Sequence, residues 1–198
     1  MAGAMRIAGI LLAGGKGARF GGAKLLAPLP SASHGVTAGT AIGAASALHM
    51  MAALNDVVAV VRPNDSMLNH ALAPTGARIV TCERADEGMG ASLACGVTAT
   101  SDADGWIVAL GDMPWIAPET IAAVADALRE GAEVAAPAHR GERGHPVGFS
   151  RPYGSLLAAL TGDEGARTIV AARQWALRIV DVADPGVLRD VDQPADLG

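Results

Sequence analysis

The chain has 198 residues, of which 51% are hydrophobic and 18% charged, with a formal net charge of −5. That balance excludes a disordered chain. The acidic charge and 3% aromatic content supply neither the basic face nor the stacking platform that nucleic acid requires. The length suits one domain with a full hydrophobic core, so residues 1–198 are expected to form a single unit. Cys82 and Cys95 match neither a CxxC pair nor a zinc pattern, and two thiols do not make a disulfide scaffold. The expected setting is therefore a reducing cytoplasm. The stretch Ala38–Leu54 is broken by Thr40, Ser46 and His49 and does not read as a membrane span. Met1–Leu12 does not read as a signal peptide.

Apolar runs and helical stretches alternate along the chain. Arg6–Leu12 is a continuous apolar run, as for a strand buried on both faces. A loop over Pro28–Gly39 precedes an Ala-rich helix over Thr40–Leu54, then a β-branched strand over Asp56–Val61 and a short helix over Asp65–Leu72. Arg78–Cys82 reads as a strand, Ser92–Thr100 as a helix that Ser92 could cap, and Trp106–Leu110 as another strand. Pro118–Glu130 has Pro in its first turn and Gly131 just past its end, which predicts a helix. Glu133–Ala136 and Leu177–Val182 are weaker strands, and His145–Phe149 and the tail from Pro185 are expected to add antiparallel pieces. The pattern predicts an α/β fold, a three-layer α/β/α sandwich on a mostly parallel sheet. In such sheets ligands bind at the carboxyl ends of the strands.

The first strand leads into a loop, residues 13–24, holding five glycines and the cations Arg19 and Lys24. Glycines let the backbone present N–H groups to an anion, and the two cations suit a polyphosphate. A Walker A loop fails because Ala23 follows Gly22, and a dinucleotide fingerprint fails because Phe20 holds its third glycine position. The bland alternative is a flexible surface loop. Asp112 follows the strongest strand, as either a metal-holding carboxylate or a turn residue before Pro114. The segment Gly88-Met89-Gly90-Ala91-Ser92 allows close backbone approach to a ligand or a plain turn and N-cap. His145, beside Pro146, is a pH-sensitive group or a structural one. Thr161–Arg167 reads equally as a helix start, and Asp190 and Asp192 equally as a solvated acidic terminus.

LAGGKGARFGGAKLL resembles the signature LAxGxSxRMGxxK of the Rossmann-like nucleotidyltransferases, and within them the molybdenum cofactor cytidylyltransferase family. Gly17 replaces the usual Ser and Phe20 the usual Met. The resemblance implies that Leu12, Ala13, Gly14, Gly15 and Gly17 wrap a nucleoside triphosphate, with Arg19 and Lys24 on its phosphates. GMGxSL implies a base and ribose pocket at Gly88, Gly90 and Ser92, and LGDMP implies Mg²⁺ on Asp112. RGHPV and GDxGAR imply that Arg143, His145 and Arg167 face the acceptor. The tail resembles DxDTPEDL, with Gln193 for Thr and Ala195 for Glu, which implies that Asp192 is the second metal ligand. The implied reaction is attack by the phosphate of molybdopterin on the α-phosphorus of CTP, releasing pyrophosphate, with Arg19, Lys24 and Asp112 as the catalytic set. Leu12-Ala13-Gly14-Gly15 is the form typical of the GTP branch, whereas three other motifs match the CTP branch, so CTP is favoured over GTP. A dinucleotide-dependent dehydrogenase is disfavoured, because the second strand ends in Arg62-Pro63 rather than an acidic residue. A non-catalytic nucleotide-binding chaperone for a molybdenum enzyme is the remaining alternative. A molybdenum hydroxylase, or its chaperone, is the implied partner.

Overall fold

The computed structural model describes residues 5–15 and 20–197. Its strands are β1 (Ile7–Leu12), β2 (Val57–Val61), β3 (Arg78–Thr81), β4 (Gly105–Leu110), β5 (Val134–His139), β6 (Glu142–Arg143), β7 (Val147–Ser150) and β8 (Leu177–Asp181). The helices are α1 (Ile42–Ala53), α2 (Ser66–Leu72), α3 (Met89–Ala99), α4 (Pro118–Arg129), α5 (Gly154–Ala158) and α6 (Arg167–Ala172). The strands form one sheet in the order β3-β2-β1-β4-β7-β5-β6, with β8 added on β5. β1 pairs in parallel with β2 and β4, β2 with β3, and β5 with β8. β7 runs antiparallel between β4 and β5, and β6 is antiparallel to β5.

Alternating strand residues feed two cores, as a sheet covered on both faces requires. Leu11, Val57, Ala59, Val61, Ile107 and Ala109 meet Ala47 and Met50 of α1, Leu68 and Leu72 of α2, and Ile121 and Val124 of α4. Ala8, Ile10, Val58, Val60, Trp106 and Val108 meet Leu93 and Val97 of α3, Leu157 of α5 and Val170 of α6. The result is the three-layer α/β sandwich expected from the sequence. Among the described residues no helix is long and apolar enough to cross a membrane.

Three expectations are corrected. Helix α3 begins at Met89, so Ser92 lies inside it, and Gly88 with φ +127° stands at its N-cap. A positive φ there strains any residue with a Cβ, which is why the motif carries glycine before the helix. The tail after Pro185 adds no strand; it forms the short 3₁₀ turns Pro185–Leu188 and Pro194–Leu197. The cysteines are joined: Cys82 directly follows β3 and Cys95 lies within α3, and packing α3 on the sheet brings their Cα atoms to 5.8 Å. That separation is within bridging range. With the pair bonded, the cysteine content no longer argues for a reducing compartment.

Candidate nucleotide and metal site

Three strand ends converge where the first loop leaves the sheet. Ala13 donates its N–H to Val60 at 2.9 Å, and Gly111 donates to Leu12 at 2.9 Å, so the ends of β1, β2 and β4 are tied. Buried Ser46 of α1 donates its hydroxyl to the Gly111 carbonyl at 3.0 Å, fixing the turn that presents Asp112. Lys24, in the short turn Lys24–Leu26, places its ammonium 2.6 Å from Asp112 Oδ2 and 3.7 Å from Asp192 Oδ1. The two predicted metal ligands, 80 positions apart in sequence, thus meet at one cation. The tail is brought there by Val191, whose side chain is fully buried and whose N–H bonds the Asp112 carbonyl at 2.9 Å.

Asp112 Oδ1 is buried and has no hydrogen-bond partner among the described residues. A buried carboxylate oxygen without a donor is costly, and a bound cation would satisfy it. Two carboxylates are the hard oxygen donors that Mg²⁺ or Mn²⁺ takes when phosphate and water supply the remaining ligands. Among the described residues no cluster of three or more His, Cys, Asp or Glu side chains forms a cation cage. The donor set therefore fits an ion that keeps open positions for water and phosphate oxygens, rather than a fully enclosed structural metal.

Three cavities open around this point. One of about 400 Å³ is lined by Leu12, Gly14, Gly15, Gly88, Ser92 and Asp112. A second of about 470 Å³ shares Leu12 and Leu110 with it and is walled by Arg143, His145 and Arg167 over Phe149 and Val170. All three residues expected to face an acceptor thus line one space. Burial is the main effect lowering the His145 pKa, and Arg143 adds to it; Asp112 and Asp190 act in the opposite sense. Its Nδ1 is buried without a partner among the described residues. The third cavity, about 490 Å³, lies under Ala13, Gly15, Gly22 and Lys24 on the β2 side.

The glycine motif before α3 is explained by packing. A Cβ on Gly88 would lie 2.2 Å from Asp163 Oδ1, and one on Gly90 would lie 2.6 Å from the Thr161 carbonyl oxygen. Gly90 donates its N–H to Gly162 at 2.7 Å. The GMG and TGD segments are therefore one unit, with Gly88 on the cavity and Gly90 serving the contact behind it. Gly17 and Arg19 lie outside the described residues. Sequence reasoning used Arg62 only as an argument against a dehydrogenase. The structure puts it on the third cavity, with its Nε buried and unpartnered among the described residues. The available signal was a charged residue closing an all-apolar strand.

The chain is similar to known proteins over most of its length. The family described as MobA-like NTP transferase domain matches residues 9–178. The purine catabolism protein PucB of Bacillus subtilis (strain 168) is 29% identical over 197 residues, covering 94% of this chain and 91% of the relative. The phosphoenolpyruvate guanylyltransferase of Sphaerobacter thermophilus is 30% identical over 154 residues, covering 75% and 73%. The structure of Rv0371c from Mycobacterium tuberculosis H37Rv in complex with manganese superposes with a TM-score of 0.76 at 27% identity, covering 97% of this chain and 96% of that one. A converging strand-end site of this kind, in a chain matched over most of its length, places the protein in the MobA-like NTP transferase domain family, as a nucleotidyltransferase.

Proposed function

We propose that the chain transfers a cytidylyl group from CTP to the phosphate of a molybdopterin-type cofactor and releases pyrophosphate, with Mg²⁺ held by Asp112 and Asp192. The observation that carries this reading is the pair of adjoining cavities at the ends of β1 and β4, one lined by Gly14, Gly15 and Gly88 beside Asp112 and the other walled by two arginines. A nucleotide in the first and a phosphorylated ring system in the second bring the reacting groups together across Leu12 and Leu110. An oxygen of the acceptor phosphate bonds to the α-phosphorus, and the bond from that phosphorus to the bridging oxygen of the pyrophosphate breaks. The attacking phosphate is already anionic, so positioning and charge neutralisation carry the catalysis. Arg143 and Arg167 counter the charge of the acceptor phosphate while Phe149 and Val170 receive apolar ring surface. Lys24 exchanges its carboxylate partners for phosphate oxygens and, with Arg19, neutralises the leaving pyrophosphate. A bound divalent cation would withdraw electron density from the phosphates and screen the negative charge that otherwise repels the anionic nucleophile.

A guanylyl reading has two supports. Leu12-Ala13-Gly14-Gly15 is the GTP-type form of the loop, and one relative is named a guanylyltransferase. Pyrophosphate release measured with CTP or GTP, each with and without molybdopterin, decides between them. Release with CTP only when molybdopterin is present supports the proposal. Equal or greater release with GTP overturns the base assignment, and nucleotide binding without any release supports the chaperone alternative. A molybdenum hydroxylase, or its chaperone, is the class of protein that would receive the product.

A further inference from the structure

Asp192 lies on a terminal segment without regular strand or helix structure, and its side chain is 42% exposed. A ligand on such a segment loses affinity through its own freedom unless something holds the backbone. Asp196 supplies that hold. Its Oδ2 accepts the N–H of Asp192 at 2.8 Å and the N–H of Gln193 at 2.7 Å. Its own N–H returns to the Gln193 carbonyl at 3.0 Å, closing the turn. Arg189 anchors the turn from outside: it donates to the Asp196 carbonyl at 3.0 Å, and its guanidinium stacks 3.5 Å above the Trp115 ring. With Val191 pinned to Asp112 on the other flank, the backbone at Asp192 is fixed from both sides.

We propose that Asp196 is a positioning residue, whose carboxylate fixes the main chain at Asp192 and thereby sets the affinity of the Asp112–Asp192 pair for a divalent cation. This rests on the reading that these two carboxylates hold the cation. Asp196 acts on the main chain: its Oδ2 is committed to two backbone N–H groups. It acts as the outer partners of metal ligands do, by orienting the carboxylate that touches the ion; loss of such a partner typically costs about 10–100-fold in metal affinity.

The test is titration of the full chain with Mn²⁺ in the absence of nucleotide, with free Mn²⁺ read by electron paramagnetic resonance. The chains compared are wild type, Asp196→Ala, Asp196→Asn and Asp192→Ala, each with its melting temperature. Asp196→Ala is expected to bind Mn²⁺ about 10-fold or more weakly. Asp196→Asn keeps an acceptor oxygen for both N–H groups and is expected to recover most of that loss. Wild-type Mn²⁺ affinity in Asp196→Ala, with affinity lost in Asp192→Ala, overturns the positioning role and leaves the cation reading standing. Equal loss in the Ala and Asn variants at equal melting temperature also overturns it. Unchanged affinity in Asp192→Ala removes the cation reading itself, and the positioning role with it.

Discussion

Replacing Lys24 with Ala separates the site's chemistry from its contribution to folding. The lysine side chain is 13% exposed and its Asp112 partner 21%, so the pair lies between the fully buried and the surface case. Breaking a buried pair costs about 3–5 kcal/mol and breaking a surface pair about 0–1 kcal/mol. An intermediate loss of about 1–2 kcal/mol is therefore expected, which for a chain of this size lowers the melting temperature by about 2–8 °C. The lost stabilisation of the leaving pyrophosphate is larger: removal of one preorganised charge-stabilising donor costs about 10²–10³ in turnover, or about 2.7–4 kcal/mol. The two quantities are read by scanning calorimetry and by pyrophosphate release at saturating CTP and metal. Added Mn²⁺ should also raise the melting temperature of Lys24→Ala more than that of wild type, because the cation replaces the ammonium as the counter-charge of Asp112 and Asp192. Turnover equal to wild type in a folded Lys24→Ala protein would refute the phosphate role of this residue.

Asp184→Ala tests the anchoring of α4. Asp184 accepts N–H groups from Ala117 and Gly186 and the hydroxyl of Thr120, each at 2.8 Å, and so caps α4 from a distant loop. Its loss should cost about 2 kcal/mol and about 4–8 °C in melting temperature with KM for CTP unchanged; an unmoved melting temperature would contradict the cap. Cys95→Ser opens the Cys82–Cys95 bridge and should destabilise the chain by about 2–4 kcal/mol in chemical denaturation under oxidising conditions. The same stability in wild type and variant would show that the bridge contributes nothing. His49 is 2% exposed, donates its Nε2–H to the Ser33 carbonyl at 3.0 Å, and has its pKa lowered mainly by burial. Below its ordinary pKa of about 6.5 the unfolded chain binds a proton that the folded chain refuses. Stability should therefore fall as pH drops from 7 to 5, by up to about 1.4 kcal/mol per pH unit from this group. His49→Gln should flatten the profile, and an identical slope in that variant would refute the assignment.

The fold was legible because both faces of the sheet are buried. Val57–Val61 and Gly105–Leu110 are apolar at every position but one, and no loop reading accommodates such runs. The start of α3 was misplaced because its N-cap is a glycine with positive φ, whereas the hydroxyl of Ser92 offered a stronger local cap signal. The tail from Pro185 was expected to add an antiparallel piece, and it adds none. Its conformation is set instead by side-chain to backbone bonds from Asp184 and Asp196, which no periodicity reveals. The disulfide was missed for a related reason: the spacing of Cys82 and Cys95 says nothing until α3 is docked beside β3. Asp112, Lys24 and Asp192 were named from motifs, and the structure brings them together. Arg62 was overlooked because it belongs to no motif; only the cavity beside Lys24 gives it meaning.

The central claim is that Asp112 and Asp192 form a cation site at which CTP reacts with the acceptor. It is tested most directly by pyrophosphate release from CTP and molybdopterin as Mg²⁺ is titrated, in wild type and in Asp112→Ala. Wild type should release pyrophosphate only with Mg²⁺ and acceptor both present. Asp112→Ala should fall by at least about 10² at every Mg²⁺ concentration while keeping its fold. Release in wild type without a divalent cation, or undiminished release in a folded Asp112→Ala protein, would contradict the account.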